Sequence, residues 1–155
     1  MAKLNPRARI IRTIGDQLIS GPEAAIIELV KNSYDADSEK VLVKFKKDDQ
    51  KRLSIIVKDS GHGMTASEIL NDWFEPATDI KVNNSKSRSG ARRVLGAKGI
   101  GRFAVSRLGK VSLTSVAEFE RGQEGVLEKS TVYIDWSQFT ADKYLHDIDI
   151  DIDSE

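Results

Sequence analysis

The sequence contains no cysteine, which excludes disulfide bonds and thiolate metal sites. Its only histidines are His62 and His146, too few to provide a typical zinc site. It has no excess charge of either sign, with 24 basic and 24 acidic residues, so no overall charge attracts it to nucleic acids or anionic membranes. No apolar run approaches the roughly 20 residues that cross a bilayer, and the first five residues lack the apolar segment of a signal peptide. These absences predict a cytoplasmic protein with no membrane segment.

The composition is that of an ordinary globular protein. Of the 155 residues, 39% are hydrophobic and 31% are charged, a mixture that can bury a core. This length corresponds to about one domain. We therefore expect a single domain over residues 1–155.

The hydrophobic pattern predicts alternating helices and strands. Helices are expected at Arg7–Leu18, Glu23–Asp35, Thr65–Phe74 and Gly101–Leu108, and strands at Val41–Lys47, Leu53–Lys58, Val111–Val116 and Ser130–Trp136. Pro22 lies near the first turn of the second helix, and the third helix is expected to be capped by Thr65, with Glu68 three positions later. Helices followed by hairpin-like strand pairs indicate an α/β two-layer sandwich, with a mostly antiparallel sheet covered on one face. The strictly alternating segment His146–Asp153 is either an edge strand or the unpaired end of a longer sheet.

A basic segment lies between the predicted helices. Residues 81–102 hold seven lysines and arginines and no acidic residue, interspersed with serine, asparagine and glycine. Such a composition is typical of a loop. The loop is either simply solvated or able to close over an anion.

Three segments carry residues suited to chemistry, and the first is the helix Glu23–Asp35. Glu28, Asn32 and Asp35 are spaced four and three residues apart, which places them on one stripe of the helix, opposite its apolar face. The stripe could be an ordinary solvated face. Alternatively, the amide oxygen of Asn32 suits Mg²⁺, and the carboxylate of Glu28 one turn away could orient or deprotonate a water near a phosphate.

The second segment, Asp59–Met64, follows a predicted strand and has the sequence Asp-Ser-Gly-His-Gly-Met. Aspartate and glycine are usual in a tight turn. They would also suit a nucleobase pocket, because a carboxylate can accept a hydrogen bond from an exocyclic amine while glycine lets the backbone approach a flat ring.

The third segment, Gly96–Arg102, is a glycine-rich entry into a helix and carries two basic residues. Backbone N–H groups at a helix start favour an anion there. The glycine and lysine spacing differs from both the P-loop and the dinucleotide-binding fingerprint. A structural glycine-rich helix entry is the alternative, but it leaves Lys98 and Arg102 unexplained.

In order and spacing, these three segments resemble the motifs of the GHKL superfamily, which includes DNA gyrase, heat-shock chaperone ATPases, histidine kinases and MutL. The run Glu28–Ala36 resembles the N box, Asp59–Met64 the first glycine box and Gly96–Arg102 the second. The resemblance covers about residues 22–116 and looks closest to the branch of MORC-like and chaperone-like ATPases. It implies the Bergerat fold, with an ATP lid at residues 76–98.

The resemblance implies ATP and Mg²⁺ as cofactors, with Glu28 as general base and Asn32 as metal ligand. Asp59 would read the adenine, Asp35 would support the adenine end, and Lys98 would contact phosphate. A family threonine near the adenine is assigned to Thr131. The nucleotide-binding residues expected from the resemblance are Asn32, Asp35, Ala36, Asp59, Gly61, Gly63, Met64, Gly96, Lys98, Gly99, Ile100, Gly101, Arg102 and Thr131.

Within the superfamily, histidine kinases usually carry asparagine at the position of Glu28, so the resemblance favours slow ATP hydrolysis over phosphotransfer. It further implies lid closure that promotes homodimerisation, with residues 1–20 as a possible N-terminal arm. A downstream transducer domain is also expected, as part of a longer protein. Two alternatives stay open: a nucleotide-binding regulatory module without hydrolysis, and a nucleotide-gated DNA-binding part of a topoisomerase or mismatch-repair-like protein.

Overall fold

A computed structural model describes residues 3–18, 20–75, 85–96, 101–118 and 125–155. Its helices are α1 (Arg9–Leu18), α2 (Pro22–Asp35) and the short α3 (Ala66–Glu68), which continues as a π-helical turn (Ile69–Trp73). Three 3₁₀ helices follow at Gly101–Arg107, Trp136–Gln138 and Leu145–Asp147. The strands are β1 (Val41–Lys47), β2 (Leu53–Asp59), β3 (Val111–Glu118), β4 (Leu127–Ile134) and β5 (Ile152–Ser154). None of the described helices is both long and apolar enough to cross a bilayer.

The described strands form two antiparallel sheets. In the first, β1 pairs with β2 so that Val41 lies opposite Asp59. In the second, β4 lies between β3 and β5. The α/β class and the antiparallel pairing expected from the sequence are confirmed. The expected strand Ser130–Trp136 begins earlier and ends earlier, because the chain turns into a 3₁₀ helix at Trp136.

The helix α2 ends at the expected Asp35 and begins one residue before the expected Glu23, but it buries a different face than predicted. Pro22 occupies its first turn, where a missing N–H costs nothing. Its buried residues are Ala25, Ser33 and Asp35, whereas the side chains of Ile27 and Tyr34 are exposed. The prediction that the polar stripe lies opposite the buried face was therefore wrong, because α2 packs through the small Ala25 against the 3₁₀ helix Gly101–Arg107.

The predicted cap of the third helix is present. The side chain of Thr65 accepts a hydrogen bond from the Glu68 N–H, and Glu68 accepts one from the Thr65 N–H, forming a capping box. The helix beyond it widens into π geometry over Ile69–Trp73. Ile69, which this turn places at the core, is completely buried.

The main core joins elements from both ends of the chain. Its buried residues are Ala8, Ile11, Ile69, Phe103, Val105, Val132, Ile134, Trp136 and Phe139. Trp136 lies edge-on to Phe103, with ring centroids 6.5 Å apart. Aromatic side chains from distant parts of the sequence therefore close one core.

The N-terminal segment is more integrated than a projecting arm. Ala8 and Ile11 belong to the core, and α1 packs against the 3₁₀ helix Gly101–Arg107. A Cβ atom at Gly15 would lie 2.6 Å from the Phe103 carbonyl oxygen, so this packing needs glycine. Within residues 1–20, Ala8 and α1 therefore pack on the domain, and an N-terminal arm that takes part in dimerisation stays a prediction.

Candidate functional site

The turn that follows β2 is held between α2 and β3. A Cβ atom at Gly61 would lie 2.7 Å from the Ala36 side chain, and the His62 N–H donates to the Ala36 carbonyl at 3.0 Å. Gly63 has a φ of 65°, and a Cβ atom there would lie 1.9 Å from the Val116 carbonyl oxygen. Both glycines thus permit backbone approaches that no side chain allows.

The turn continues into Met64, whose N–H donates to the Ser115 hydroxyl at 2.6 Å. The Met64 side chain packs against the main core. These contacts attach the end of the turn to β3 and to the core. Among the described residues, Met64 therefore stabilises the turn.

The carboxylate of Asp59 is oriented by two donors. The hydroxyl of Ser33 donates to one oxygen at 2.8 Å, and the N–H of Gly61 donates to the other at 2.9 Å. Ser33 is only 3% exposed, whereas Asp59 is exposed. Each carboxylate oxygen has a second lone-pair site, so an oriented and accessible acceptor remains for a ligand amine.

Ser33 is a residue that the sequence analysis missed. It lies on the same side of α2 as Ala25 and Leu29, at four-residue spacing, and Ala25 is buried while Leu29 packs against the core. A serine on an otherwise apolar helix stripe was the available signal, since buried hydroxyls need a partner.

The carboxylate of Glu28, on α2, lies next to the start of the 3₁₀ helix Gly101–Arg107. A Cβ atom at Gly101 would lie 2.3 Å from a carboxylate oxygen of Glu28. The other oxygen forms an ion pair with Lys31 at 2.6 Å. The glutamate of the first motif and the last glycine of the third are therefore in direct proximity.

Asp35 holds the other end of the glycine-rich loop. Its two carboxylate oxygens accept hydrogen bonds from the backbone N–H groups of Leu95 and Gly96, at 2.8 and 3.0 Å. Asp35 is 9% exposed. The structure thus places its carboxylate against the entrance of the loop, where it anchors the backbone.

Asn32 lies on α2 between Glu28 and Asp35 and is half-buried. Within the described ranges its amide makes no side-chain hydrogen bond, so its oxygen is available as a hard ligand. The described residues contain no group of three or more acidic or imidazole side chains that could hold a metal ion. A single amide oxygen suits a Mg²⁺ ion that takes its other ligands from phosphates and water.

Two expected binding residues are directed elsewhere. Arg102 donates to the backbone carbonyl of Asp72, and burial lowers the pKa of its guanidinium while Asp72 opposes that shift. Thr131 lies beside Thr114, with the two hydroxyl oxygens 3.4 Å apart. Successive strand residues face opposite ways, so Thr131 lies on the face of β4 opposite the buried Ser130. The phosphate contact of Arg102 and the adenine contact of Thr131 stay predictions.

Lys98, Gly99 and Ile100, predicted to bind phosphate, lie outside the described residues. Of the expected lid at residues 76–98, the structure describes 85–96. Basic side chains there contact the protein itself: Arg88 pairs with Glu68 at 3.2 Å, and Arg92 donates to the carbonyls of Tyr34 and Ser38. Arg92 is half-buried by these contacts, whereas Arg88 stays exposed to solvent despite its ion pair.

The sequence matches the family model described as "Histidine kinase-, DNA gyrase B-, and HSP90-like ATPase" over residues 19–152. It is also similar to a DNA mismatch repair protein MutL of Methanoculleus marisnigri, with 29% identity over 99 residues. That segment makes up 64% of this chain but 17% of the relative, so the chain corresponds to a small part of the relative's length.

Proposed function

The chain belongs to the family of histidine kinase-, DNA gyrase B- and HSP90-like ATPases, and from this premise we propose that it binds Mg²⁺-ATP and hydrolyses it slowly to drive a change of shape. ATP binding and hydrolysis follow from the family at a general level. The role of each residue, the need for Mg²⁺ and the change of shape are our inference.

One observation carries the proposal: a single helix, α2, contacts the first glycine turn and both described ends of the segment Gly96–Arg102. Ser33 orients Asp59 in the first glycine turn, and Asp35 holds Gly96 at the entrance of the second. Glu28 lies against Gly101 at its exit. A purine triphosphate is an elongated ligand with a base at one end and phosphates at the other. A ligand that spans these points would have each end contacted by residues far apart in the sequence.

At the proposed adenine end, the Asp59 carboxylate accepts a hydrogen bond from the exocyclic amine. Gly61 and Gly63 let the turn pack closely against Ala36 and Val116 beside this carboxylate, and Ser33 holds the carboxylate in place. An ionised carboxylate is an acceptor only, so it favours adenine over guanine, which presents a carbonyl oxygen at the corresponding position.

At the proposed phosphate end, the amide oxygen of Asn32 would hold the metal, and Glu28 would orient the attacking water. Mg²⁺, when bound, neutralises the charge that develops on the phosphates. Lys98 remains a candidate phosphate contact on its sequence motif. Phosphoryl transfer needs little covalent help from a protein, so positioning by Glu28 and the loop backbone supplies most of the catalysis.

The change of shape would come from contacts that only the γ-phosphate makes, because a ligand shifts an equilibrium only by binding two states differently. Closure of the lid and homodimerisation are parts of this proposal. The relative's length supports a further domain in the full protein, to which the movement would be passed.

Calorimetric titration with a non-hydrolysable ATP analogue tests the proposal. The wild-type chain should bind in the presence of Mg²⁺ and more weakly without it. Asp59→Asn should weaken binding by about tenfold or more, which corresponds to roughly 1.4 kcal/mol. Asp48→Asn, which alters an exposed ion pair with Arg52 in the β1–β2 turn, is the matched control and should bind like wild type. Equal affinity of Asp59→Asn and wild type would contradict the adenine site.

Hydrolysis is tested separately with Glu28→Ala. The substitution removes the group that orients water, so we expect turnover to be abolished while the analogue still binds. Phosphate release measured under single-turnover conditions distinguishes the two properties. Equal, negligible rates in wild type and variant would instead support the regulatory module without hydrolysis.

The similarity to a DNA mismatch repair protein supports a second candidate, a nucleotide-gated contact with DNA. Arg92 is engaged with the carbonyls of Tyr34 and Ser38, so the exposed Arg93 is the sharper test. Duplex binding that weakens steeply with salt, and that Arg93→Ala reduces, would support this candidate. Salt-independent or absent binding would exclude it.

A further inference from the structure

Within the described part of the basic segment, residues 85–94 form a small hairpin, called here the basic hairpin. Its two sides are joined by a bridge between Lys86 and Arg93 and by hydrogen bonds from Ser87 to Arg92 and from Val94 to Ser85. Gly90 lies in the turn with a φ of 75°, a conformation that glycine adopts without strain. The hairpin therefore has a defined shape of its own.

Asp37 fastens the tip of the basic hairpin to the end of α2. One carboxylate oxygen accepts the hydroxyl of Ser89 at 2.7 Å, and the other accepts the Ser89 N–H at 2.8 Å. Asp37 has a φ of 62°, which directs the chain sharply after the helix. Hydrogen bonds from Ser87 and Ser89 lower the pKa of Asp37 to about 2, so the carboxylate is ionised at neutral pH.

Arg92 makes a second attachment at the same place. Its guanidinium donates to the carbonyl oxygens of Tyr34 and Ser38, at 3.1 and 2.8 Å, and lies over the Tyr34 ring at 4.8 Å. Carbonyls at a helix end have no partner within the helix, and a cation there is favoured by the helix dipole. Two hydrogen bonds and one cation–π contact thus hold the Arg92 side chain.

The basic hairpin leads directly into the loop that Asp35 holds. Arg92 is three residues from Leu95, whose N–H donates to Asp35 together with that of Gly96. Fixing Arg92 and Ser89 on the end of α2 limits where the following backbone can lie. The attachment of the basic hairpin to α2 through Asp37 and Arg92, called here the anchor, therefore restricts the position of the loop entrance at Leu95 and Gly96.

We propose that Asp37 and Arg92 are positioning residues that fix the backbone of Leu95 and Gly96 at Asp35 and so set the affinity for the phosphates of the nucleotide. This inference rests on the proposed function. It assigns a role within the site to two residues that lie outside the three motifs. Neither residue needs to touch the nucleotide.

The test compares Asp37→Asn and Arg92→Lys with wild type. Affinities are measured for a non-hydrolysable ATP analogue with Mg²⁺ and for adenosine, which has no phosphate. We expect each variant to bind the triphosphate about tenfold more weakly while adenosine affinity changes less than twofold. Asp48→Asn is the matched control, because the Asp48 carboxylate also accepts a backbone N–H and a side chain but lies in the β1–β2 turn.

Amide hydrogen exchange of the nucleotide-free chain measures how well the anchor protects the backbone of the basic hairpin and of the loop entrance. Exchange at Ser89, Leu95 and Gly96 should be faster in Asp37→Asn than in wild type. Ser89→Ala, a milder change to the same contact, should produce a smaller effect in the same direction. Combined with Asp37→Asn, it should add less than the sum of the two single effects, because both remove one contact.

Three results would overturn the inference. One is faster exchange at Ser89 with an unchanged affinity for the triphosphate. Another is an equal loss of affinity for adenosine and triphosphate, which indicates general destabilisation. The third is unchanged exchange in Asp37→Asn. A wild-type chain that binds neither ligand would instead contradict the proposed function, and the exchange rates would still report on the anchor.

Discussion

At the residue scale, Gly63 shows how a turn in the site depends on one position for two reasons. Its φ of 65° lies in the left-handed region, and the Val116 carbonyl occupies the place of a side chain. Gly90 has a similar φ of 75°, but nothing lies within 4 Å of its missing Cβ. A comparison of these two glycines therefore separates the effect of backbone conformation on stability from the effect of close packing.

We expect Gly63→Ala to lower the free energy of unfolding by about 3 kcal/mol, the sum of a left-handed alanine and the displacement of β3. Gly90→Ala should cost only about 1 kcal/mol, because it carries the conformational cost alone. Urea denaturation of both variants measures the difference. Equal losses in the two variants would show that the contact with Val116 is not rigid.

At the element scale, helix α2 both packs against the rest of the domain and positions residues of the proposed site. Its buried side holds Ala25 against Ala104, while Ser33 and Asp35 use buried positions to orient the first and second glycine segments. Its C-terminal end then receives the basic hairpin through Asp37 and Arg92. A displacement of this one helix would affect every part of the proposed site.

The contact between Asp37 and the basic hairpin should depend on pH in one direction. The pKa of Asp37 falls from 3.8 to about 2 in the folded chain, so protonation of the carboxylate opposes the contact. Its stabilising effect should be complete above about pH 4 and lost as the pH falls towards 2. NMR titration of the Asp37 carboxyl should give a midpoint near 2 in wild type.

Ser89→Ala is the control for this titration. It removes one of the hydrogen bonds that stabilise the ionised carboxylate, so the midpoint should rise towards 3.8. A wild-type midpoint already at 3.8 would mean that the hairpin does not hold Asp37 in solution.

At the scale of the whole molecule, the C-terminal segment and the first helix pack against the same core. Ile148, Ile150 and Ile152 pack against the main core, whereas the aspartates between them are exposed. The alternation read from the sequence is real, but it forms a paired strand only at Ile152–Ser154, beside β4.

Ile152→Ala should therefore lower the free energy of unfolding by about 1–2 kcal/mol, less than for a completely buried isoleucine. Asp151→Ala changes an exposed neighbour and should stay within about 0.5 kcal/mol of wild type. Thermal unfolding followed by circular dichroism compares the two. A larger loss in Asp151→Ala would show that the tail packs with the opposite face inward.

The sequence by itself determined the features that depend on near neighbours. Pro22 marked the start of α2, Thr65 and Glu68 marked a capping box, and β1 has the predicted bounds. Such signals arise from side chains that interact with backbone only a few residues away. Local chemistry was therefore sufficient to predict them.

Only the tertiary structure decided which side of each element faces the site. Ser33 meets Asp59 across 26 residues, and Asp35 meets Gly96 across 61. The choice of Ser130 rather than Thr131 as the buried hydroxyl, and the engagement of Arg92 by the end of α2, likewise depend on how distant elements pack. No local pattern determines these choices, because burial of a side chain is set by partners that come from elsewhere in the chain.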